Sequence, residues 1–277
     1  MHKIWVFFLV CHFIVCGQVK LVIKGSDTLG AKMMPKLAEA FSNKNPGTQF
    51  EIAAEGTSTG ISAIIDGTAD IGMSSRGIKG RERASAGANG VRLYQTVVAW
   101  DAVVVIVNAQ NPLTKISAKD LERIFTGDVT NWSSIGGRSG IISAYTRNTS
   151  SGTYSFFQRE ALSNRDYGIN TQKLVGNEQI AVEVANNPHG IGYAGLAFTQ
   201  VKGIKTIPVN GYLPSTDNFK TTYGLSRTLS CVTNGKPTGR TKEFIDFLTS
   251  KDGQKIISST GFLLSLIHIS EPTRQFR

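Results

Sequence analysis

Acidic residues, histidine and cysteine are scarce in this chain of 277 residues: 20 Asp plus Glu stand against 30 Lys plus Arg, with 4 His, 3 Cys and 8 Pro. Three cysteines cannot build a disulfide scaffold, and so little proline excludes a collagen-like or proline-rich chain. One His with one Cys in the body of the chain, His189 and Cys231, cannot assemble the usual zinc ligand sets. No Gly-x-Ser-x-Gly elbow and no Gly-x-x-x-x-Gly-Lys-Ser/Thr run occurs, which removes the common serine-hydrolase and phosphate-loop signatures. Long apolar runs are also missing. The longest, Ile4 to Cys16 broken by His12, is too short to span a bilayer.

That run follows Lys3 and precedes Gly17, the order of charge, apolar stretch and small residue found in secretory signal peptides. Residues 1–17 are therefore expected to be a signal peptide. The mature protein is then periplasmic, or secreted to the cell surface, and a lipid anchor at Cys16 is the alternative. Removal of this leader leaves Cys231 without an intramolecular partner. At the other end, Ser265 to Arg274 reads like translated sequencing adaptor, so residues 263–277 are expected to be a non-native tail.

What the chain does contain is 40% hydrophobic residues, ample for a core, in short β-branched runs that alternate with helical patterns. Val19–Ile23, Phe50–Ala54, Val97–Val107, Ile141–Tyr145 and Ile191–Ala194 read as strands. Pro35–Lys44, Gly60–Asp66, Ala118–Phe125, Tyr154–Leu162, Glu178–Asn186 and Thr241–Ser259 read as helices. Such alternation predicts an α/β fold with mainly parallel sheets. Phe156, Phe157, Trp100 and Trp132 are expected in the core or at lobe contacts, and Lys79–Arg83 on a solvated face. His189, in Asn187-Pro188-His189-Gly190, is expected in an exposed turn. Basic and aromatic residues do not interleave as on a nucleic-acid platform, so no nucleic-acid partner is expected.

Four times an expected strand runs into small hydroxyl and glycine residues: Gly25-Ser26-Asp27-Thr28, Gly56-Thr57-Ser58-Thr59-Gly60, Gly72-Met73-Ser74-Ser75-Arg76, and Arg147 through Ser151-Gly152-Thr153. Each cluster alone is an ordinary cap or turn. Hydroxyl donors, closely approachable amides and helix N-termini also suit a small oxyanion, and two of the clusters carry an arginine able to grip paired oxygens. In open α/β sheets ligands sit beyond the carboxyl ends of strands, where all four clusters fall.

With Ala69-Asp70-Ile71, Phe125-Thr126-Gly127, Thr130-Asn131-Trp132 and Gly190-Ile191-Gly192-Tyr193, these clusters form an ordered set that resembles the phosphate-binding proteins of ABC-type phosphate uptake systems, from Val19 to Phe262. The resemblance implies a two-lobed type II periplasmic-binding-protein-like fold. Lobe I would comprise residues 18–104 and about 213–262, and lobe II about 105–212, with Ala102–Asn108 and Tyr223–Val232 crossing between them. It also implies a monomeric, non-catalytic receptor without cofactor or metal, which delivers inorganic phosphate to a membrane permease and its ATPase. The implied ligand shell is Thr28, the Leu29 amide, Thr57, Ser58, Ser75, Arg76, Arg147, Ser151, Gly152 and Thr153. Part of the family has an aspartate where Ser75 stands, as acceptor for the phosphate proton, and often an acidic residue where Thr149 stands. Asp27 is the candidate replacement acceptor, with Asp70 and Glu55 behind it. Another tetrahedral oxyanion such as sulfate, or an exported phosphatase, remains the alternative.

Overall fold

A computed structural model describes residues 18–264 apart from 216 and 220, so the expected leader and residues 265–277 of the expected tail lie outside the described residues. In chain order the elements are β1 (Val19–Gly25), α1 (Asp27–Gly30), α2 (Met33–Lys44), β2 (Thr48–Ala53), α3 (Thr57–Ile65), β3 (Ile71–Ser74), α4 (Gly80–Ala88), β4 (Leu93–Asn108) and α5 (Ala118–Phe125). There follow β5 (Ser143–Arg147), α6 (Gly152–Ala161), β6 (Gln172–Leu174), α7 (Asn177–Asn186), β7 (Gly190–Gly195), β8 (Ile204–Ile207), β9 (Ser226–Asn234), α8 (Gly239–Thr249), α9 (Lys251–Ser259) and β10 (Leu263–Leu264).

The strands join in the order β2-β1-β3-β9-β4-β7-β5-β6, with β8 and β10 also pairing to β4. Pairing is parallel among β1, β2 and β3 and among β5, β6 and β7, where helices make the crossovers. In the middle it is antiparallel. The first part of β4 pairs with β9, from Leu93 opposite Asn234 to Ala102 opposite Ser226. Its second part pairs with β7, from Val103 opposite Gly195 to Val107 opposite Ile191. One long strand thus belongs to two sheet regions, and its run Ala102 to Val107 is fully buried. That explains why it reads as an unbroken β-branched stretch rather than an alternation.

Each region has its own aromatic packing. Met33, Met34, Leu37 and Phe41 give α2 a buried face, with the Phe41 ring 5.2 Å from Phe244 of α8 and 6.1 Å from Phe50 of β2. On the other side Phe125, Phe157 and Tyr193 pack together, and the Phe157 and Tyr193 rings stack at 3.9 Å. Trp132 and Phe156 are buried as expected, while Trp100 is half-buried.

Three local expectations need correction. The single helix expected over 241–259 is two, because Ser250 is extended (φ −71°, ψ 165°) and its hydroxyl accepts from the Gly253 amide to begin α9. A serine followed three residues later by a helical amide is an N-cap, and a cap starts a new helix rather than continuing an old one. His189 is half-buried instead of exposed: its ring lies so close over Gly140 that any side chain there would collide with it. Leu263 and Leu264 pair with Trp100 and Ala99 of β4, so the fold continues two residues past Phe262.

Candidate anion-binding site

All four hydroxyl-rich clusters lie at carboxyl ends of parallel strands, and the fold brings three from the first sheet region against the fourth from the second. Thr28, in the short α1 after β1, is fully buried, with Oγ1 3.3 Å from Thr153 Oγ1. Thr57 opens α3 after β2; its Oγ1 accepts from the Ser75 amide at 3.1 Å and lies 3.3 Å from Ser75 Oγ. Ser151 caps α6, accepting from the amides of Thr153 (3.1 Å) and Tyr154 (3.3 Å). This leaves the first-turn positive potential of α6 facing the cluster.

The two sides touch closely. A Cβ on Gly152 would strike Thr57 Oγ1 and come within 2.5 Å of Ser75 Oγ, and one on Gly56 (φ +145°) would strike the Ser150 backbone. Both glycines are therefore required by the approach of the sides, and at Gly56 by the backbone as well. Further bonds cross the same seam. The Ser58 amide donates to the Ser150 carbonyl at 3.1 Å, and Lys79 Nζ donates to Ser155 Oγ at 3.0 Å. Lys79 thus lies against α6 rather than on a wholly solvated face, and burial beside Arg76 and Arg81 lowers its ammonium.

Three guanidinium groups are buried here, each beside one carboxylate. Arg76 is 3% exposed and donates to both oxygens of Glu82 at 2.6 and 2.9 Å, to the Gly77 carbonyl and to Ser58 Oγ. Burial works to raise the Glu82 carboxyl, but Arg76 and the Lys79 amide outweigh it and hold it below its usual range. Arg147, 1% exposed, donates through Nε to the Val175 carbonyl at 3.0 Å. Its Nη1 lies 3.2 Å from Asp27 Oδ2, close enough for charge attraction yet without hydrogen-bond geometry, so this buried N–H has no acceptor. Burial lowers the Arg147 guanidinium, and Asp27 opposes that. Arg227 of β9 donates to Asp101 Oδ2 through Nε (3.1 Å) and Nη2 (2.8 Å), and Nη2 also reaches Thr28 Oγ1 at 3.3 Å. Burial pushes the Asp101 carboxyl up while Arg227 pulls it down.

Among the expected residues, Thr28, Thr57, Ser75, Arg147, Ser151, Gly152 and Thr153 come together. Three others are engaged in support. The Leu29 amide donates to the Ser26 carbonyl at 3.2 Å, Ser58 accepts from Arg76, and Arg76 has four bonds of its own. Asp27 bridges the seam: its Oδ2 accepts from the Asn177 amide at 3.0 Å and from Asn177 Nδ2 at 2.7 Å, at the N-terminus of α7. Asp70 stands before β3, at the far end from Ser75, and accepts from the Val22 amide; Glu55 is exposed. Neither takes the place proposed for it behind Asp27.

Asn177, Asp101 and Arg227 escaped the sequence reading. Asp101 and Arg227 did carry a signal, because each is the single charge within its strand, and such a charge needs a partner. Chemically the arrangement is a set of hydroxyl and amide donors with an unmet guanidinium N–H on each of Arg76 (Nε), Arg147 (Nη1) and Arg227 (Nη1), suited to an oxyanion. Burial pushes the Cys231 thiol up to about 12, far from a nucleophilic thiolate. Among the described residues no group of three or more His, Cys, Asp or Glu could hold a metal ion, and no helix is long and apolar enough to cross a membrane.

A family profile described as a PBP superfamily domain matches residues 17–252. The chain is 30% identical to the phosphate-binding protein PstS of Borreliella burgdorferi over 88% of this chain and 90% of the relative. Among solved structures it is similar to a substrate-binding protein assigned to phosphate ABC transport from Clostridium perfringens, which holds bound phosphate (29% identity, TM-score 0.81, 89% of this chain and 100% of that one). It is also similar to an ABC-type phosphate transport receptor from Vibrio cholerae (29% identity, TM-score 0.74, 88% and 100%).

Proposed function

The chain belongs to the PBP superfamily, whose two-lobed binding fold it has, and on that premise we propose that it is a receptor that closes on inorganic phosphate for an ABC-type importer. The observation that carries this reading is the meeting of Thr28, Thr57 and Ser75 with the N-terminus of α6 and the unmet N–H of Arg147. Donors from both sheet regions converge on one point, so an anion there is held only when the two come together. Each guanidinium already has a carboxylate beside it, so hydrogen-bond dipoles rather than net charge hold the ligand.

In this reading Thr28, Thr57, Ser75, Arg147, Ser151, the Gly152 amide and the Thr153 hydroxyl contact phosphate, while Leu29, Ser58 and Arg76 fix those groups in place. Asp27 accepts the phosphate proton through Oδ1, since Oδ2 is taken by Asn177. The lobes are residues 18–104 with about 213–262, and about 105–212, hinged where β4 passes from β9 to β7. The protein acts outside the cytoplasm as a monomer after loss of residues 1–17. It catalyses nothing, and it hands its ligand to a permease and ATPase.

Calorimetric titration of ligand-stripped protein with phosphate, sulfate and molybdate tests the reading. One phosphate per chain, bound more tightly than sulfate, is expected. No heat with phosphate sinks it, and tighter sulfate binding moves the protein to a different tetrahedral oxyanion.

A further inference from the structure

We propose that Arg227 and Asn177 lock the Thr28 hydroxyl as a hydrogen-bond donor, and that this lock sets which protonation state of a tetrahedral oxyanion the cleft accepts. The inference rests on the reading of this cleft as an anion site and deepens it.

A hydroxyl has one proton to give and two lone pairs to receive with. Thr28 Oγ1 has three polar neighbours at 3.3 Å: Arg227 Nη2, Asn177 Nδ2 and Thr153 Oγ1. A guanidinium has no acceptor, so Arg227 can only donate. The Asn177 amide is oriented from both ends. Its Oδ1 accepts from the Gly195 amide at 3.1 Å and its Nδ2 donates to Asp27 Oδ2 at 2.7 Å, so Nδ2 meets Thr28 as a donor too. Both lone pairs of Thr28 are then filled, and its proton is left to point toward Thr153 or a ligand oxygen.

Ser151 reaches the same condition by another route, because its oxygen already accepts from two amides of α6. Hydroxyls from opposite sides of the cleft therefore present protons and nothing else. A ligand oxygen bearing a proton faces a second proton at either place and finds no acceptor. It is confined to Asp27 Oδ1 or to the Thr57 and Ser75 pair. Arg227 contributes no unbalanced charge, since Asp101 neutralises it, and its exposure of 4% keeps the arrangement away from water. Arg227 and Asn177 are positioning residues, acting on the ligand through Thr28.

The test is a double-mutant cycle read as the ratio of phosphate to sulfate affinity at a pH on each side of the second ionisation of phosphate. Sulfate keeps its charge throughout, so its own change reports any pH effect that comes from the protein, where the charged groups facing the cleft are Asp27, Arg147, Asp101 and Arg227. In the wild type the ratio is expected to fall about tenfold on the acid side, where a second protonated oxygen must be placed. Arg227→Lys keeps a charge beside Asp101, but one ammonium cannot also replace the guanidinium bond to Thr28. The acid-side fall is then expected to shrink to about twofold, because Thr28 can accept. In the Thr28→Val background Arg227→Lys is expected to change the ratio no further. Asn177→Ala runs the same cycle should Arg227→Lys fail to unfold cooperatively. A wild-type pH dependence in both single variants, or an effect that persists without the Thr28 hydroxyl, overturns the proposal while the anion-site reading stands. A wild-type protein that binds neither anion overturns both.

Discussion

Of the three buried arginines at the cleft, Arg76 and Arg147 are held in opposite ways. Arg76 is gripped within its own sheet region by both oxygens of Glu82, a neighbour six residues away, and adds bonds to Gly77 and Ser58, so that both its terminal nitrogens are engaged and only Nε lacks an acceptor. Arg147 faces a carboxylate from the other side of the seam, Asp27, at 3.2 Å and without hydrogen-bond geometry. Fork pairing in a dry site is strong and directional, whereas a single misaligned contact leaves a buried donor costly and available. The difference teaches that two arginines with the same sequence signature, each beside Ser or Thr after a strand, do different work. Arg76 fixes architecture, and Arg147 keeps a proton for a ligand.

Arg147→Ala is the strongest way to break this comparison. Removing the guanidinium from a buried, hydrogen-bonded charge site costs on the order of 2 to 5 kcal/mol of ligand binding. Titration calorimetry with phosphate is expected to show a loss of at least about thirtyfold. The melting temperature without ligand is expected to fall too, because a fully buried side chain is truncated beside Asp27, but by less free energy than the loss of binding. Equal losses of stability and binding would erase the distinction between the two arginines.

Asp27→Asn sharpens it next. The change keeps an oxygen that can accept from the Asn177 amide, but removes both the charge facing Arg147 and the best acceptor for a phosphate proton. Phosphate affinity is expected to fall about tenfold while sulfate affinity holds or rises, since the sulfate dianion gains from an uncompensated Arg147 and needs no acceptor. A parallel loss of both anions would assign Asp27 to the seam alone.

How much of this was legible depended on whether the signal was local. Helix α5 stands where expected, since Leu121, Ile124 and Phe125 repeat on one face and Ser117 caps it by accepting from the Asp120 amide. The hydroxyl clusters could be read as strand ends because each combines a short apolar run with Gly, Ser and Thr. Which side chain of a cluster faces the others could not be read, because that depends on strand order. Arg76 and Arg147 look alike in sequence, and Glu82, which decides the fate of Arg76, reads as part of the solvated face expected over Lys79–Arg83. The bond from Arg227 to Thr28 spans 199 positions, and nothing in either neighbourhood names the other. Thr241 to Ser259 was misread for the opposite reason. Its local signal, Ser250 before Lys-Asp-Gly, was present, but the continuous apolar periodicity on both sides outweighed it.

The smallest expected effect probes Arg76 through Glu82→Gln. Glutamine keeps the side-chain length and one carbonyl oxygen to accept from Arg76, so the pair loses charge rather than contact. The Glu82 carboxyl lies below its usual range in the folded protein, held there by Arg76 against burial. A carboxyl lowered by folding contributes stability above its unfolded pKa and loses it as pH falls through the folded value. The wild type is therefore expected to exceed Glu82→Gln in unfolding free energy by about 1 kcal/mol at neutral pH, a figure reduced for the part-exposed carboxylate. That margin is expected to close as pH falls below the ordinary carboxylate range. Denaturant melts at several pH values measure it, and phosphate affinity at neutral pH is expected to stay within about threefold of wild type. A stability difference that persists in acid would mean that Glu82 acts by shape and not by charge. A large loss of phosphate affinity would mean that Arg76 holds the ligand after all, in the same way as Arg147.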